Sequence, residues 1–230
     1  MLLEICANSY QSALNAQLAG AHRIELCQEL AVGGITPSYG LIEKVIRNVT
    51  IPVFVLIRPR SGNFVFSDAE FDIMKKDIQI CKELGCQGIV SGILNTDFSI
   101  DIKRTKTLVE LSRPLEFTFH RAFDEVENPE VALAQLIDLG VERILTSGQA
   151  KTAEQGIKLI ERFHHKAKEL VSIMAGAGVN ATNASKFMEI GLTEIHSSAS
   201  VEVYQPESLF SLPQSVSDVD KIKQILRMIY

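Results

Sequence analysis

Reactive side chains converge in one short stretch of the sequence, where an apolar segment ends in His120, Arg121 and, three positions later, Asp124. An imidazole can transfer protons near neutral pH, a guanidinium can hold an anion, and a carboxylate can orient either group. Side chains alternate between the two faces of a strand, so Arg121 reaches the same pocket as His120 only if the strand turns there. We interpret the stretch as a strand that carries functional groups at its carboxyl end.

A second chemical pattern is the spacing Glu-x-Cys, which occurs at 4–6 and again at 25–27. On a strand this spacing places the acid and the thiol on the same face. A free cysteine on a strand is often only a small buried apolar residue, but the repeated spacing favours a functional pair. A buried carboxylate needs a partner, and the sequence offers Arg58, Arg60 or His120.

Polar residues and glycines close the other predicted strands at the same end. Backbone N–H groups around Gly176 and Gly178 could hold a phosphate or a carboxylate, with Ser198 nearby. The candidates for acid–base chemistry are His120, Glu25, Asp124 and Glu4. The candidates for anion binding are Arg58, Arg60, Arg121, Ser147, Gly176, Gly178, His196 and Ser198.

A recurring spacing indicates the elements that must position these groups. Four helical patterns end in a glycine that is followed, four positions later, by an isoleucine that opens an apolar strand; the pairs are Gly20 and Ile24, Gly85 and Ile89, Gly140 and Ile144, and Gly191 and Ile195. Glycine favours the left-handed conformation that ends a helix, and a short link of this kind is typical of an αβ turn. The predicted strands are 2–6, 23–27, 53–58, 88–92, 116–120, 143–147, 171–175 and 194–197.

A helical segment follows each predicted strand, the last one spanning Ser217–Ile229. Eight βα units in 230 residues predict a TIM (β/α)8 barrel, an α/β fold. The alternative is a doubly wound open sheet, but no glycine-rich dinucleotide fingerprint follows the first strand. No linker divides the chain, so we predict a single domain over residues 1–230.

Two helix starts carry the spacing of a capping box. In this pattern a Ser or Thr hydroxyl accepts a hydrogen bond from the backbone N–H three residues later. The Glu or Gln side chain at that later position accepts one from the backbone N–H of the Ser or Thr. The pairs are Ser67 with Glu70 and Thr152 with Gln155. We expect a helix to begin directly after Ser67 and another directly after Thr152.

Composition excludes several functional classes. Apolar residues make up 46% and charged residues 22% of the chain, as in a globular protein with a large core. The net charge of −5 argues against a nucleic-acid partner, and no apolar run approaches the roughly 20 residues of a membrane span. The first residues, Met1 to Glu4, meet an acid too early for a signal peptide. We therefore expect a cytoplasmic protein with four reduced cysteines.

Six motifs in order resemble those of the CutC family of copper homeostasis proteins, from residue 1 to about residue 200. They are Glu4-Ile5-Cys6, Arg23-Ile24-Glu25-Leu26-Cys27, Gly33-Gly34-Ile35-Thr36-Pro37-Ser38, Ile57-Arg58-Pro59-Arg60, Phe119-His120-Arg121-Ala122-Phe123-Asp124 and Leu145-Thr146-Ser147-Gly148. The resemblance implies a cytoplasmic, often oligomeric TIM barrel linked to copper tolerance. It also implies two Cu(I) ligands at strand ends, which fall on Cys6 and Cys27.

The sequence departs from the family pattern at two strand ends. The seventh strand usually ends Pro-Gly-Gly-Gly, and here it ends Ala175-Gly176-Ala177-Gly178. The eighth usually ends Ser-Ala-Arg, and here the run Ser198-Ala199-Ser200 lacks the arginine. Both departures weaken the anion site that the resemblance would otherwise place there.

Two functions follow from the residues and from the resemblance. The first is Cu(I) binding by Cys6 and Cys27, because thiolate is the soft ligand that favours Cu(I). The second is an enzyme with isomerase, lyase or phosphate-ester chemistry that acts on a small anionic substrate. A Schiff-base aldolase is disfavoured because no predicted strand carries a lysine. The two nearby glutamates count against the metal site, since negative charge raises the pKa of a thiol unless it is neutralised.

Overall fold

Eight parallel strands close into a barrel in the computed structural model, which describes residues 1–203, 209 and 214–230. The predicted TIM barrel is thus confirmed. The barrel strands β1 to β8 are Leu2–Ala7, Arg23–Leu26, Val53–Leu56, Gly88–Ser91, Glu116–Phe119, Arg143–Thr146, Ser172–Ala175 and Glu194–Ser197. The helices α1 to α8 are Tyr10–Ala19, Tyr39–Asn48, Asp68–Leu84, Ile102–Ser112, Pro129–Asp138, Ile157–Ala167, Ala184–Glu189 and Val219–Ile229.

Neighbouring strands are offset along the barrel, as closure of a tilted barrel requires. In the pairing of β1 with β2, Glu4 lies level with Arg23 and Cys6 lies level with Glu25. In the pairing of β1 with β8, Glu4 lies level with His196. The two Glu-x-Cys motifs therefore sit at different depths, with the second two residues nearer the mouth.

Alternation along the strands separates an apolar face from a polar one. Leu3, Ile5 and Phe117 belong to the main hydrophobic core and are fully buried. The alternate positions face the barrel interior and include fully buried polar residues such as Glu4 and Thr118 beside apolar ones such as Val90. The helices thus pack on an apolar outer face, and the chemistry is confined to the inside of the barrel.

The caps predicted from sequence have opposite outcomes. The capping box at Ser67 is formed, with Glu70 accepting from the Ser67 backbone N–H at 2.7 Å, and α3 begins at Asp68. The prediction at Thr152 is wrong, because α6 begins only at Ile157 after a run of turns. The Thr152 hydroxyl does accept from the Gln155 backbone N–H at 3.3 Å, so the motif caps a turn rather than the helix.

An antiparallel pair of strands that the sequence does not predict stands between β8 and α8. These strands are Ser200–Val203 (β9) and Gln214–Ser217 (β10). The Asn15 side-chain amide donates to the Ser217 carbonyl at 2.8 Å, which joins β10 to α1. Because Ser217 lies in β10 and Asp218 caps the helix, α8 begins two residues after the predicted start. That residues 1–230 form a single domain stays a prediction.

None of the helices within the described ranges has the length and apolar character that a bilayer crossing demands.

Candidate functional site at the barrel mouth

A cavity of about 640 Å³ opens at the carboxyl ends of the strands. This is the end at which TIM barrels carry their functional groups, and the volume is in the range that holds a small molecule. Eight of the residues predicted from sequence line it, namely Cys6, Glu25, Arg58, His120, Arg121, Gly178, His196 and Ser198. The structure therefore brings these eight residues together at one cavity, and their functional role stays a prediction.

The two predicted metal ligands approach each other, and of the two only Cys6 lines the cavity. The Cys6 Sγ and Cys27 Sγ atoms are 3.7 Å apart, and both side chains are buried. Cys27 packs against an apolar layer formed by Phe54, Leu56 and Val90. Donor atoms of Cys6, Glu25 and His196 also lie within 4.8 Å of one another. Sulfur, nitrogen and oxygen donors are thus available in one place.

Glu4 is held by positive charge on two sides. Its carboxylate pairs with the Arg23 guanidinium and accepts a bond from His196 Nδ1 at 2.8 Å. Arg23 in turn donates to Glu194 at 2.6 Å. Burial alone would raise the pKa of Glu4, but Arg23 and His196 outweigh burial and lower that pKa to about 2. Glu4 is therefore ionised at neutral pH.

Glu25 has the opposite surroundings. One carboxylate oxygen accepts only a weak bond from the Cys6 thiol, at 3.8 Å, and the other, Oε2, has no partner. Burial raises the pKa of Glu25 to about 7, with His196 opposing the rise. The partners predicted for the two glutamates, Arg58, Arg60 and His120, are wrong. The arginines of the barrel interior are instead Arg23 and Arg143. Arg23 lies level with Glu4 and two residues below Glu25.

The thiol and the imidazole nearest Glu25 are both perturbed. The bond to Cys27, together with burial and the Glu25 charge, raises the pKa of Cys6 well above its usual value. Burial lowers the pKa of His196, but its bonds to Cys6 and Glu4 and the Glu25 charge outweigh burial and raise it. The resting site thus favours a neutral thiol beside a protonated imidazole.

The turn that sequence alternation requires after β5 is present. His120 caps a 3₁₀ helix at Arg121–Glu125, and this turn brings Arg121 to the cavity wall beside His120. Burial and the Arg58 charge lower the pKa of His120 to about 3, so the ring is neutral at physiological pH. A base this weak is poorly matched to proton abstraction near pH 7.

Asp124 is a positioning residue in this structure. Its carboxylate accepts from Arg121 Nε at 2.8 Å and from the Ser147 backbone N–H and hydroxyl at 3.0 and 2.9 Å. It does not line the cavity, and neither does Ser147. Together they orient Arg121, whose Nη2 also donates to the Ser147 hydroxyl at 3.0 Å.

The two arginines after β3 have separate environments. Arg58 is buried and donates to the Val32 and Gly34 carbonyls at 3.0 and 2.7 Å, so it fastens the loop between β2 and α2. Arg60 points away from the cavity and pairs with Glu70 at 2.6 Å. Gly176 lies close to Leu145 and His196 and is also absent from the cavity wall.

Three charged residues of the barrel interior were missed from sequence, namely Arg23, Arg143 and Glu194. Arg23 precedes Glu25 by two residues and Glu194 precedes His196 by two, so strand alternation places each pair on one face. That alternation was the available signal. Arg143 joins Glu194 and also donates to Glu116 at 3.1 Å.

Comparison with known proteins identifies the family of this chain. A family model described as the CutC family matches residues 1–201. The chain belongs to the CutC family. A CutC family protein of Photorhabdus laumondii is 50% identical over 198 residues, which are 86% of this chain and 79% of that protein. One from Proteus mirabilis is 51% identical over 197 residues, covering 86% of this chain and 78% of the relative.

Solved structures give the same result. The crystal structure of a CutC protein from Streptococcus agalactiae, provisionally named a copper homeostasis protein, is 36% identical. It covers 86% of this chain and 98% of its own, with a TM-score of 0.81. Phosphoribosylanthranilate isomerase from Thermotoga maritima, at 13% identity and a TM-score of 0.61, shares the barrel fold alone.

Proposed function

We propose that this CutC protein acts in copper homeostasis by binding Cu(I) at Cys6 and Cys27. The observation that carries the proposal is the 3.7 Å approach of the two sulfur atoms, of which Cys6 Sγ is near His196 and belongs to a residue that lines an open cavity. Soft thiolate ligands favour Cu(I), and an imidazole is a compatible third donor. All four cysteines are free, which supports a reducing compartment such as the cytoplasm.

The spacing of the sulfurs fits a bent arrangement. Two metal–sulfur bonds of about 2.3 Å, the length in zinc thiolate sites, would span about 4.6 Å in a straight line. At 3.7 Å the two thiolates meet a shared ion at an angle, which leaves a side open to a third donor. The donor atoms of Glu25 and His196 lie within 4.8 Å of the Cys6 sulfur, so either could be that donor.

Binding must release protons, since the metal ligand is the thiolate rather than the thiol. The pKa of Cys6 lies well above its usual value, so the metal must displace a firmly held proton. The residues proposed from sequence to neutralise the glutamates, Arg58 and His120, do not do so here. Protonation of Glu25 itself removes the nearby negative charge, because its pKa is about 7.

The test is a competition titration of Cu(I) against a chromogenic chelator, using reduced protein. We expect the Cys6→Ser/Cys27→Ser variant to bind at least about 100-fold more weakly, because both soft ligands are lost. Cys81→Ser/Cys86→Ser is the matched control, since these two thiols are also buried but lie away from the cavity. Equal Cu(I) affinity in the wild type and the first variant would overturn the proposal.

A second candidate function is an enzyme acting on a small anion. It is favoured by the partnerless Glu25 oxygen and by a pKa of about 7, which suits a group that exchanges protons at neutral pH. Arg121 would hold the anion from the adjacent wall. This function predicts that Glu25→Gln abolishes turnover while Cys27→Ser retains it, whereas copper binding predicts that Cys27→Ser is the more damaging change.

A further inference from the structure

Buried polar atoms without partners are concentrated at the cavity. Among the described residues, five buried side-chain nitrogen or oxygen atoms make no hydrogen bond, and three belong to residues of the cavity wall. These three are Glu25 Oε2, Arg58 Nε and His120 Nε2. A buried donor or acceptor that stays unpaired costs free energy, so such atoms call for a partner.

His120 presents a donor. Its Nδ1 accepts a bond from the Ala122 backbone N–H at 3.2 Å, so in the neutral ring the proton is on Nε2. We assign this tautomer from the hydrogen bond. His120 is 5% exposed, and the atom that carries the unused proton is fully covered. The ring therefore offers one N–H group to an acceptor.

Arg58 presents a second donor and a positive charge. Its terminal nitrogens donate to the carbonyls of Val32, Gly34 and Gly62, and its Nε has no acceptor. The side chain is 6% exposed, and no carboxylate of the described residues pairs with it. The guanidinium is bonded only to neutral carbonyls, and the Glu125 carboxylate acts on it without an ion pair, so the place of a direct counter-ion is open to an anion.

One aromatic ring lies against both donors. The Phe64 ring is centred 5.0 Å from the Arg58 guanidinium carbon and 4.8 Å from the His120 ring centre. Phe64 is only partly buried and lines the cavity. Phe64 is therefore a cavity-wall side chain that packs against both donors.

We propose that the cavity binds the carboxylate group of a small organic acid, with Arg58 and His120 as its donors and Phe64 turned aside. The apolar wall, which includes Leu30, Leu56 and Leu145, receives the body of the acid. A volume of about 640 Å³ suits such a molecule, since a single metal ion fills little of it. One carboxylate balances the single positive charge of Arg58.

This organic-acid subsite is separate from the copper site. Its donors come from the segments that follow β5 and β3, whereas the thiols come from β1 and from the residue that follows β2. None of its atoms is one of the proposed copper ligands. Carboxylate binding is therefore independent of Cu(I) binding. The variant Cys6→Ser/Cys27→Ser distinguishes the two, because it removes only the proposed copper ligands.

The probes are benzoate and its neutral isostere benzamide, titrated into metal-free full-length protein by calorimetry. We expect benzoate to bind at least tenfold more tightly than benzamide, because only benzoate matches the Arg58 charge. His120→Leu should weaken benzoate binding about tenfold, the loss of one charge-assisted hydrogen bond. The control His165→Leu, on the exposed face of α6, should change nothing.

Further readouts keep the proposal testable if His120→Leu folds poorly. In the wild type, the ¹⁵N-imidazole spectrum should show the His120 Nε2–H signal shifting with benzoate and not with benzamide. Cys6→Ser/Cys27→Ser should retain benzoate affinity. Equal affinity for the two probes, unchanged affinity in His120→Leu, or tighter binding of inorganic phosphate than of benzoate would each overturn the proposal.

Discussion

Glu4 and Glu25 occupy equivalent places in a repeated motif and opposite places in the barrel. Glu4 belongs to a closed ionic layer in which Arg23, His196 and Glu194 satisfy one another. Glu25 lies one level higher, facing the cavity with one oxygen unbonded. The pKa of the first is about 2 and that of the second about 7.

The difference comes from the offset between strands rather than from the motif. Because Cys6 lies level with Glu25, the second motif reaches beyond the arginine layer. The lower half of the barrel interior is thus built for stability, with each charge paired. The upper half keeps polar groups unpaired, which is what a binding site requires.

The largest expected effect is at the lower layer. Glu4→Gln leaves Arg23 and His196 without their shared anion, so we expect the free energy of unfolding to fall by about 3–5 kcal/mol. Urea denaturation at neutral pH measures it. The control is Glu43→Gln, which removes an exposed helical ion pair with Arg47 and should cost below about 0.5 kcal/mol. If Glu4→Gln lowered the free energy of unfolding no more than the control does, the ion pairs of the lower layer would only offset the cost of burying their charges.

Because of Glu25, we expect the free energy of unfolding to fall as pH rises. Its pKa in the folded protein, about 7, lies above the usual 4.5, so the protonated form is favoured by folding. The resulting stabilisation is fully present below the usual pKa and is lost as pH rises through about 7. The difference corresponds to roughly 3 kcal/mol.

The measurement is the free energy of unfolding of metal-free protein between about pH 5 and pH 8, for wild type and Glu25→Gln. The variant has no carboxyl group to ionise at this position, so we expect it to lose less stability than the wild type over this interval. Parallel curves would mean that Glu25 finds a partner in solution, and the contrast with Glu4 would disappear.

We expect a smaller change in the free energy of unfolding at Ala177, which lines the cavity in the upper half of the barrel. Its φ of 81° is left-handed, a conformation that costs a residue with a Cβ about 1 kcal/mol or more. Ala177→Gly should raise the free energy of unfolding by about 0.5 kcal/mol, the strain relief less the extra entropy of glycine in the unfolded chain.

Ala132→Gly is the matched control, since Ala132 lies within α5 and glycine there should be destabilising by about 1 kcal/mol. Both variants can be compared by urea denaturation. If Ala177→Gly were as destabilising as the control, strain at the mouth would be refuted.

The sequence predicted the eight strands, the four helix ends at glycines and the presence of polar groups at one end of the barrel, because alternation and helix-ending glycines are local signals. It did not predict which groups meet. Partners such as Glu4 and Arg23 are fixed by the relative offset of two strands, which no local pattern encodes. The same limit explains why Arg60, next in sequence but one to Arg58, pairs with Glu70 outside the cavity.

The pairing of β9 with β10 was missed for a related reason. Each strand has only four residues, and although Ser-Val-Glu-Val in β9 alternates, a pattern this short does not identify a strand by itself. The turn that places Arg121 at the cavity wall was predicted from sequence only as a condition for Arg121 and His120 to share one pocket. Its cause is structural, since Asp124 is anchored to Ser147 at the end of the next strand.

The cavity wall has two origins in the chain. Residues 1–201, which the CutC family model matches, supply Cys6, Glu25, His120 and His196. Three further lining residues, Lys221, Gln224 and Ile225, come from α8, beyond that match. Substitutions in the last helix can therefore change one part of the cavity wall without altering the strands that carry Cys6 and Glu25. The two parts of the wall can diverge separately in sequence.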